Sequence, residues 1–119
     1  MDETVKLVVF VPAEHEAAVR TALGAAGAGR IGGYDQCAFV TRGTGHFRPL
    51  DGAVPYQGHV GTVESADEDR LEMVCVLDRL PAVLRRLREV HPYEEVAFDV
   101  IPLINHRVAD LVPPRPSEG

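Results

Sequence analysis

The chain has no tryptophan, and its aromatic residues amount to only 6%, so few large rings are available to build a core or a site. No stretch approaches the roughly 18 to 20 apolar residues that a membrane helix requires, which excludes the membrane as an expected partner. There is no basic excess: 12 Lys and Arg stand against 18 Asp and Glu, a formal net charge of -6. Such a chain repels phosphate backbones, and nucleic acid is excluded on the same footing. The start, Met1-Asp2-Glu3-Thr4, lacks the basic region of a secretory signal. A cytoplasmic location is the resulting expectation. The two cysteines, Cys37 and Cys75, have no CxxC spacing and sit in apolar alternating stretches. Both read as buried thiols, not as a disulfide or metal pair. Catalytic machinery is also scarce. Ser65 and Ser117 have no placed base, and Asp67, Glu68 and Asp69 read as a solvated turn. With no activated nucleophile and no acid-base pair, the chain is not expected to be an enzyme.

What is present suits one small domain. The 119 residues are 45% hydrophobic, enough for a single core. Val5 to Val11 is a β-rich run with apolar residues on both faces, which predicts a central strand ended by Pro12. Glu14 to Ala26 predicts a helix, with Ala18, Val19, Ala22, Leu23 and Ala26 at helical spacing. Tyr34 to Thr41 and Arg70 to Leu77 alternate as strands. Pro81 suits the first turn of a second helix whose inner stripe is Leu80, Val83, Leu84 and Leu87. His91-Pro92-Tyr93 ends it, and Val96 to Leu103 gives the last strand.

The order βαββαβ predicts an α+β ferredoxin-like sandwich: a four-stranded antiparallel sheet with two helices on one face. The domain covers residues 1–103, and residues 104–119 form a partly disordered C-terminal tail. Val8, Phe10, Tyr34, Val74, Val76, Phe98 and Val100 are expected to line the other sheet face. An uncovered apolar face invites association, so self-association is expected.

Two segments hold the functional signals. The connection at residues 42–69 is longer than an ordinary structureless loop and carries Phe47, Pro49, Val54, Pro55 and Tyr56, so it is expected to fold back on the body. Gly43-Thr44-Gly45 lacks the rest of a phosphate-loop motif and reads as turn glycines. His46 and His59 read as solvated loop residues, with metal ligation the lesser alternative. In the second segment, His91 with Glu94 and Glu95 offers imidazole and carboxylate ligands for zinc or copper. The competing structural reading has His91 capping the helix, Tyr93 packing and the glutamates solvated. The basic run Arg85, Arg86 and Arg88 reads as a solvated helix face more readily than as an anion site.

Three stretches together resemble a known family. They are residues 26–39, Gly43-Thr44-Gly45-His46-Phe47-Arg48-Pro49, and His91-Pro92-Tyr93-Glu94-Glu95 with Ala97 and Asp99. They are similar to the PII/CutA-like insert domain of the Nif-three-like (YqfO-like) proteins, over about Val5 to Leu103. The His91 turn also resembles that of the CutA-like divalent-cation tolerance proteins. The resemblance implies a homotrimer with clefts between subunits that take a small ligand. Gly32, Tyr34, Phe47, Arg48 and Tyr93 would line the cleft. Arg48 would meet an anionic group, while His91 and Glu94 or Glu95 would hold a cation or orient the loop. The larger domain with a dinuclear metal site that the family's longer members carry is not expected among these residues. No cofactor is certain; a divalent metal ion, zinc or copper, at His91, Glu94 and Glu95 is the one candidate. The resulting expectation is a trimeric binding or regulatory module. The alternatives are a CutA-like divalent-metal-binding protein and an interaction scaffold whose loop docks a protein partner.

Overall fold

A computed structural model describes residues 2–116 of the chain. The elements are β1 (Thr4–Pro12), α1 (Glu16–Ala26), β2 (Phe39–Phe47), β3 (Glu64–Val76), α2 (Leu80–Val90), β4 (Phe98–Pro102) and a short α3 (Asn105–Val108). Single 3-10 turns precede α1 and α2, and Ala109–Leu111 forms another after α3. Ser117, Glu118 and Gly119, the end of the predicted tail, lie outside the described residues, as does Met1.

The four strands make one antiparallel sheet in the order β2-β3-β1-β4. This is the predicted ferredoxin-like arrangement. Its core lies between the sheet and the two helices. Alternation sends Val5, Leu7, Val9 and Val11 of β1, with Leu71, Met73 and Cys75 of β3, against Val19 and Leu23 of α1 and Val83 and Leu87 of α2. Both helices end where the residue pattern requires. Gly27 follows α1 at φ 122, a conformation that favours glycine. Helix α2 begins with Pro81 in its first turn and stops at His91, where Pro92 disfavours a further helical residue.

Three expectations need correction. First, the strands around the long connection run further than predicted. β2 extends to Phe47 and β3 begins at Glu64, paired in continuous register from Phe39↔Glu72 to Phe47↔Glu64. The connection is therefore residues 48–63, not 42–69. Gly43, Gly45 and the acidic residues 67–69 have loop-like composition, but backbone pairing across the hairpin overrides propensity. Asp67, Glu68 and Asp69 are ladder residues, with Asp69 buried and its Oδ1 without a partner among the described residues.

Second, the sheet's open face is not a uniform apolar surface. Phe98 and Val100 sit opposite Val9 and Leu7, so they lie on the helix side at the sheet edge. Tyr34 belongs to no strand and is 76% exposed in a tight turn bridged to Ile31. The open face holds Val8, Phe10, Val74 and Val76, but also Lys6, Arg70, Glu72 and Asp99. Arg70 lies over the Phe10 ring at 5.8 Å and pairs with Glu72 at 3.7 Å. Val8 is fully buried between the in-register Glu72 and Asp99. Long charged side chains thus cover much of this face with their stems.

Third, Cys37 is half-buried, with its Sγ 3.7 Å from the Asp35 carbonyl. Cys75 is buried as predicted, and burial pushes its thiol pKa up.

Candidate ligand cleft

The site forms where β1 leaves the sheet. β1 pairs with β3 as far as Pro12↔Glu68, while β2 and β3 continue as a two-stranded arm to Phe47↔Glu64. Three chain segments gather at that step: the turn after Pro12 with Glu14 and His15, the 91–97 segment, and the 48–63 connection. The connection folds back as predicted. Gly61 N–H donates to the Pro49 carbonyl at 2.7 Å, closing its base. Val54 N–H donates to Glu94 Oε2 at 2.8 Å, and Tyr56 O–H donates to Glu14 Oε1 at 2.7 Å. Because the single Tyr56 proton is committed to Glu14, His15 Nε2 donates to the Tyr56 oxygen at 3.0 Å. These bonds hold the connection over a cleft of about 450 Å³ with Phe47, Arg48, Tyr56, Glu68, Tyr93 and Glu94 in its lining. Pro49, Ala53, Val54 and Pro55 supply apolar wall.

His91 anchors the floor. It is 6% exposed, and its Nε2 lies 2.8 Å from the Phe10 carbonyl. A carbonyl only accepts, so Nε2 carries the proton. Tyr93 N–H donates to Nδ1 at 3.1 Å, so Nδ1 is bare and the ring is neutral. Burial lowers the His91 pKa below the ordinary imidazole value, against smaller upward pulls from the Phe10 carbonyl and Glu68. The bonds orient Tyr93, whose ring stacks near His91 at 4.8 Å and whose O–H donates to Glu68 Oε2 at 2.8 Å. Burial and then the Glu68 hydrogen bond push the Tyr93 phenol well above its usual range. The Tyr56 phenol is also raised, first by its bond to Glu14. Tyr56 and Tyr93 meet at 5.9 Å with their planes 50° apart.

The structure brings Phe47, Arg48 and Tyr93 to one cleft, which lies within a single chain. Gly32 and Tyr34 are elsewhere. Their turn is tied to the far half of β3 through Gly29 N–H and the Val74 carbonyl, on the order of 20 Å along the strand from Glu68. Within one chain they do not reach the cleft. His91, Glu94 and Glu95 do not gather as ligands either. Both His91 nitrogens serve backbone groups, Glu94 positions the connection, and Glu95 is exposed. Of the two roles predicted for Glu94, orienting the loop is the one its geometry performs. Among the described residues no three His, Cys, Asp or Glu side chains converge as a metal site. Arg88 donates to the Glu94 carbonyl at 3.1 Å, and Arg86 pairs with Glu89 on the solvated face. Glu14, Tyr56 and Glu68 were not singled out as site residues, because their partners lie far away in sequence. The only hint was the aromatic and proline content of the connection.

No family model matches the chain. Individual proteins do. A Bacillus subtilis (strain 168) protein named "GTP cyclohydrolase 1 type 2 homolog" is 51% identical over 102 residues, covering 86% of this chain and 27% of that protein. The Mycobacterium tuberculosis (strain ATCC 25618 / H37Rv) protein of the same name is 48% identical over 99 residues, 83% of this chain and 26% of the relative. The chain thus spans about a quarter of the length of the curated relatives it matches. Among solved structures, a Bacillus cereus protein related to NIF3 superposes with TM-score 0.76 at 44% identity, covering 86% of this chain and 26% of that one. The PII-like protein CutA from Nostoc sp. PCC 7120 superposes with TM-score 0.63 at 21% identity, covering 87% and 84%. The second likeness establishes the fold alone. The first three bear out the resemblance to the Nif-three-like proteins drawn from the residues.

Proposed function

We propose that this chain, which shares a domain with the NIF3-related proteins, is a small-ligand-binding or regulatory module of PII/CutA-like type. The observation that carries this reading is the cleft itself. A connection held by specific hydrogen bonds overhangs a mostly apolar cavity of about 450 Å³, with a few convergent polar groups. Such cavities are the usual form of a small-molecule site. In a homotrimer, the turn carrying Gly32 and Tyr34 would come from a neighbouring subunit and complete the cleft. The cyclohydrolase name belongs to relatives about three times as long, and no catalytic step is assigned to the residues of this domain.

A thermal-shift panel of nucleotides, organic acids and amines tests the reading. A ligand at about 100 times its Kd stabilises the fold by about 2.7 kcal/mol. A response that disappears in Tyr93→Ala supports the cleft; a flat panel at saturation removes it. Elemental analysis of the purified protein addresses the metal-binding alternative. Stoichiometric zinc or copper that is lost in His91→Ala would displace the small-ligand reading.

A further inference from the structure

We infer that the cleft selects an organic cation, an amine or guanidinium carried on a small apolar body. The inference rests on the cleft being a ligand site and names its ligand class. Of the lining side chains, Glu68, Glu94 and Glu95 are carboxylates, and Arg48 is the one permanently charged cation. An anion entering the cleft would meet three carboxylates and a single guanidinium, between apolar walls that strengthen each repulsion.

The carboxylate at the centre is built in. Glu68 Oε2 accepts from Tyr93 O–H at 2.8 Å, and its Oε1 has no donor among the described residues. Gly45 lies diagonally across the hairpin from Glu68, and a Cβ there would occupy the space of Oε1. Tyr93 is itself fixed through its backbone N–H to His91 Nδ1. The carboxylate is thus tethered at one oxygen, while the other, packed beside Gly45, is left without a donor. Glu94 is likewise tethered at one oxygen, with Oε2 accepting from Val54 N–H at 2.8 Å.

The aromatic lining agrees in sign. The Tyr56 and Tyr93 rings form a corner with centroids 5.9 Å apart. Ring faces carry partial negative charge and attract cations, most strongly where water is excluded. A primary amine has three donors, suited to carboxylate oxygens that lack one, and the apolar wall of Pro49, Ala53 and Pro55 would receive the ligand's carbon skeleton.

Isothermal titration of the full chain with agmatine and spermidine, against ATP and citrate, tests this. Both amines are expected to bind and to weaken as salt rises, whereas the anions do not bind. Glu68→Gln keeps the shape and is expected to weaken amine binding by about tenfold, the loss of one charge-assisted hydrogen bond. Its ligand-free melting curve serves as the folding control, and Glu94→Gln repeats the test at an independent position. Binding of ATP or citrate without the amines overturns the cation assignment and leaves the cleft as a ligand site. Amine binding indifferent to both substitutions also overturns the assignment. No binding by either class overturns the cleft reading along with it.

Discussion

His91 joins three segments through one ring. Its Nε2–H reaches the Phe10 carbonyl, its Nδ1 receives Tyr93 N–H, and Tyr93 in turn holds Glu68. A proton added to Nδ1 would set two donors against each other and release Tyr93. Burial is the main reason the folded ring resists that proton, with a pKa below the ordinary value of 6.5. The unfolded chain therefore takes up the proton first as pH falls. Stability from this group is fully present above the ordinary histidine range and is lost as pH drops from there toward the lowered folded pKa. Melting temperatures measured between about pH 7.5 and about pH 5 are expected to fall with pH, and to fall less steeply in His91→Asn. Equal slopes in the two proteins would show that His91 is not the sensing group. The same ring shows why a histidine near two glutamates does not by itself make a metal site. Spacing along the chain reveals which ligands are near, but not whether their lone pairs are already engaged.

At the scale of elements, the 48–63 connection is the part whose state can change. Its links to the body are a few exposed hydrogen bonds, those of Tyr56 with Glu14 and His15, that of Val54 with Glu94 and that of His59 N–H with Glu64. Segments held this way open at lower free energy than the packed core. Tyr56→Phe removes the donor to Glu14 and keeps the ring contacts with His15 and Tyr93. Faster hydrogen exchange confined to residues 48–63, with α1 and α2 unchanged, is the expected outcome. Unchanged exchange would mean that other contacts hold the connection. Both helices were legible in the sequence because their apolar residues recur at helical spacing and terminate at Gly27 and Pro92. The arm was not. Gly43, Gly45 and the acidic start of β3 contain little β-favouring residue, and their strand state comes from pairing with each other. Phe47, Arg48 and Tyr93, which line the cleft, stand in the family motifs. Glu68 was not legible, since its place depends on a tyrosine that folding brings to it and on Gly45 diagonally across the hairpin.

At the scale of the whole molecule, the chain is elongated. It measures 64 × 26 × 23 Å with a radius of gyration of 17.2 Å, against about 13.5 Å for a compact chain of this length. The β2–β3 arm projects beyond β1, and β4 is exposed along its whole length. Phe39 and Ile101 sit on the open face of the two edge strands at 67% and 42% exposure. This shape, and not a naked apolar face, is the better physical ground for expecting sister chains. The open face's Lys6, Arg70, Glu72 and Asp99 would place charged groups in such an interface, making assembly sensitive to salt. Light scattering at low micromolar concentration is expected to give three times the 12.9 kDa chain mass. Phe39→Asp and Ile101→Asp change side chains already exposed in the single chain, so they should leave the fold intact. If the open face is the contact, each shifts the mass toward one chain while the circular dichroism spectrum is retained. A well-folded wild-type chain that scatters as a single molecule would remove the homotrimer and any site built between subunits, leaving the cleft beneath residues 48–63 to act within one chain.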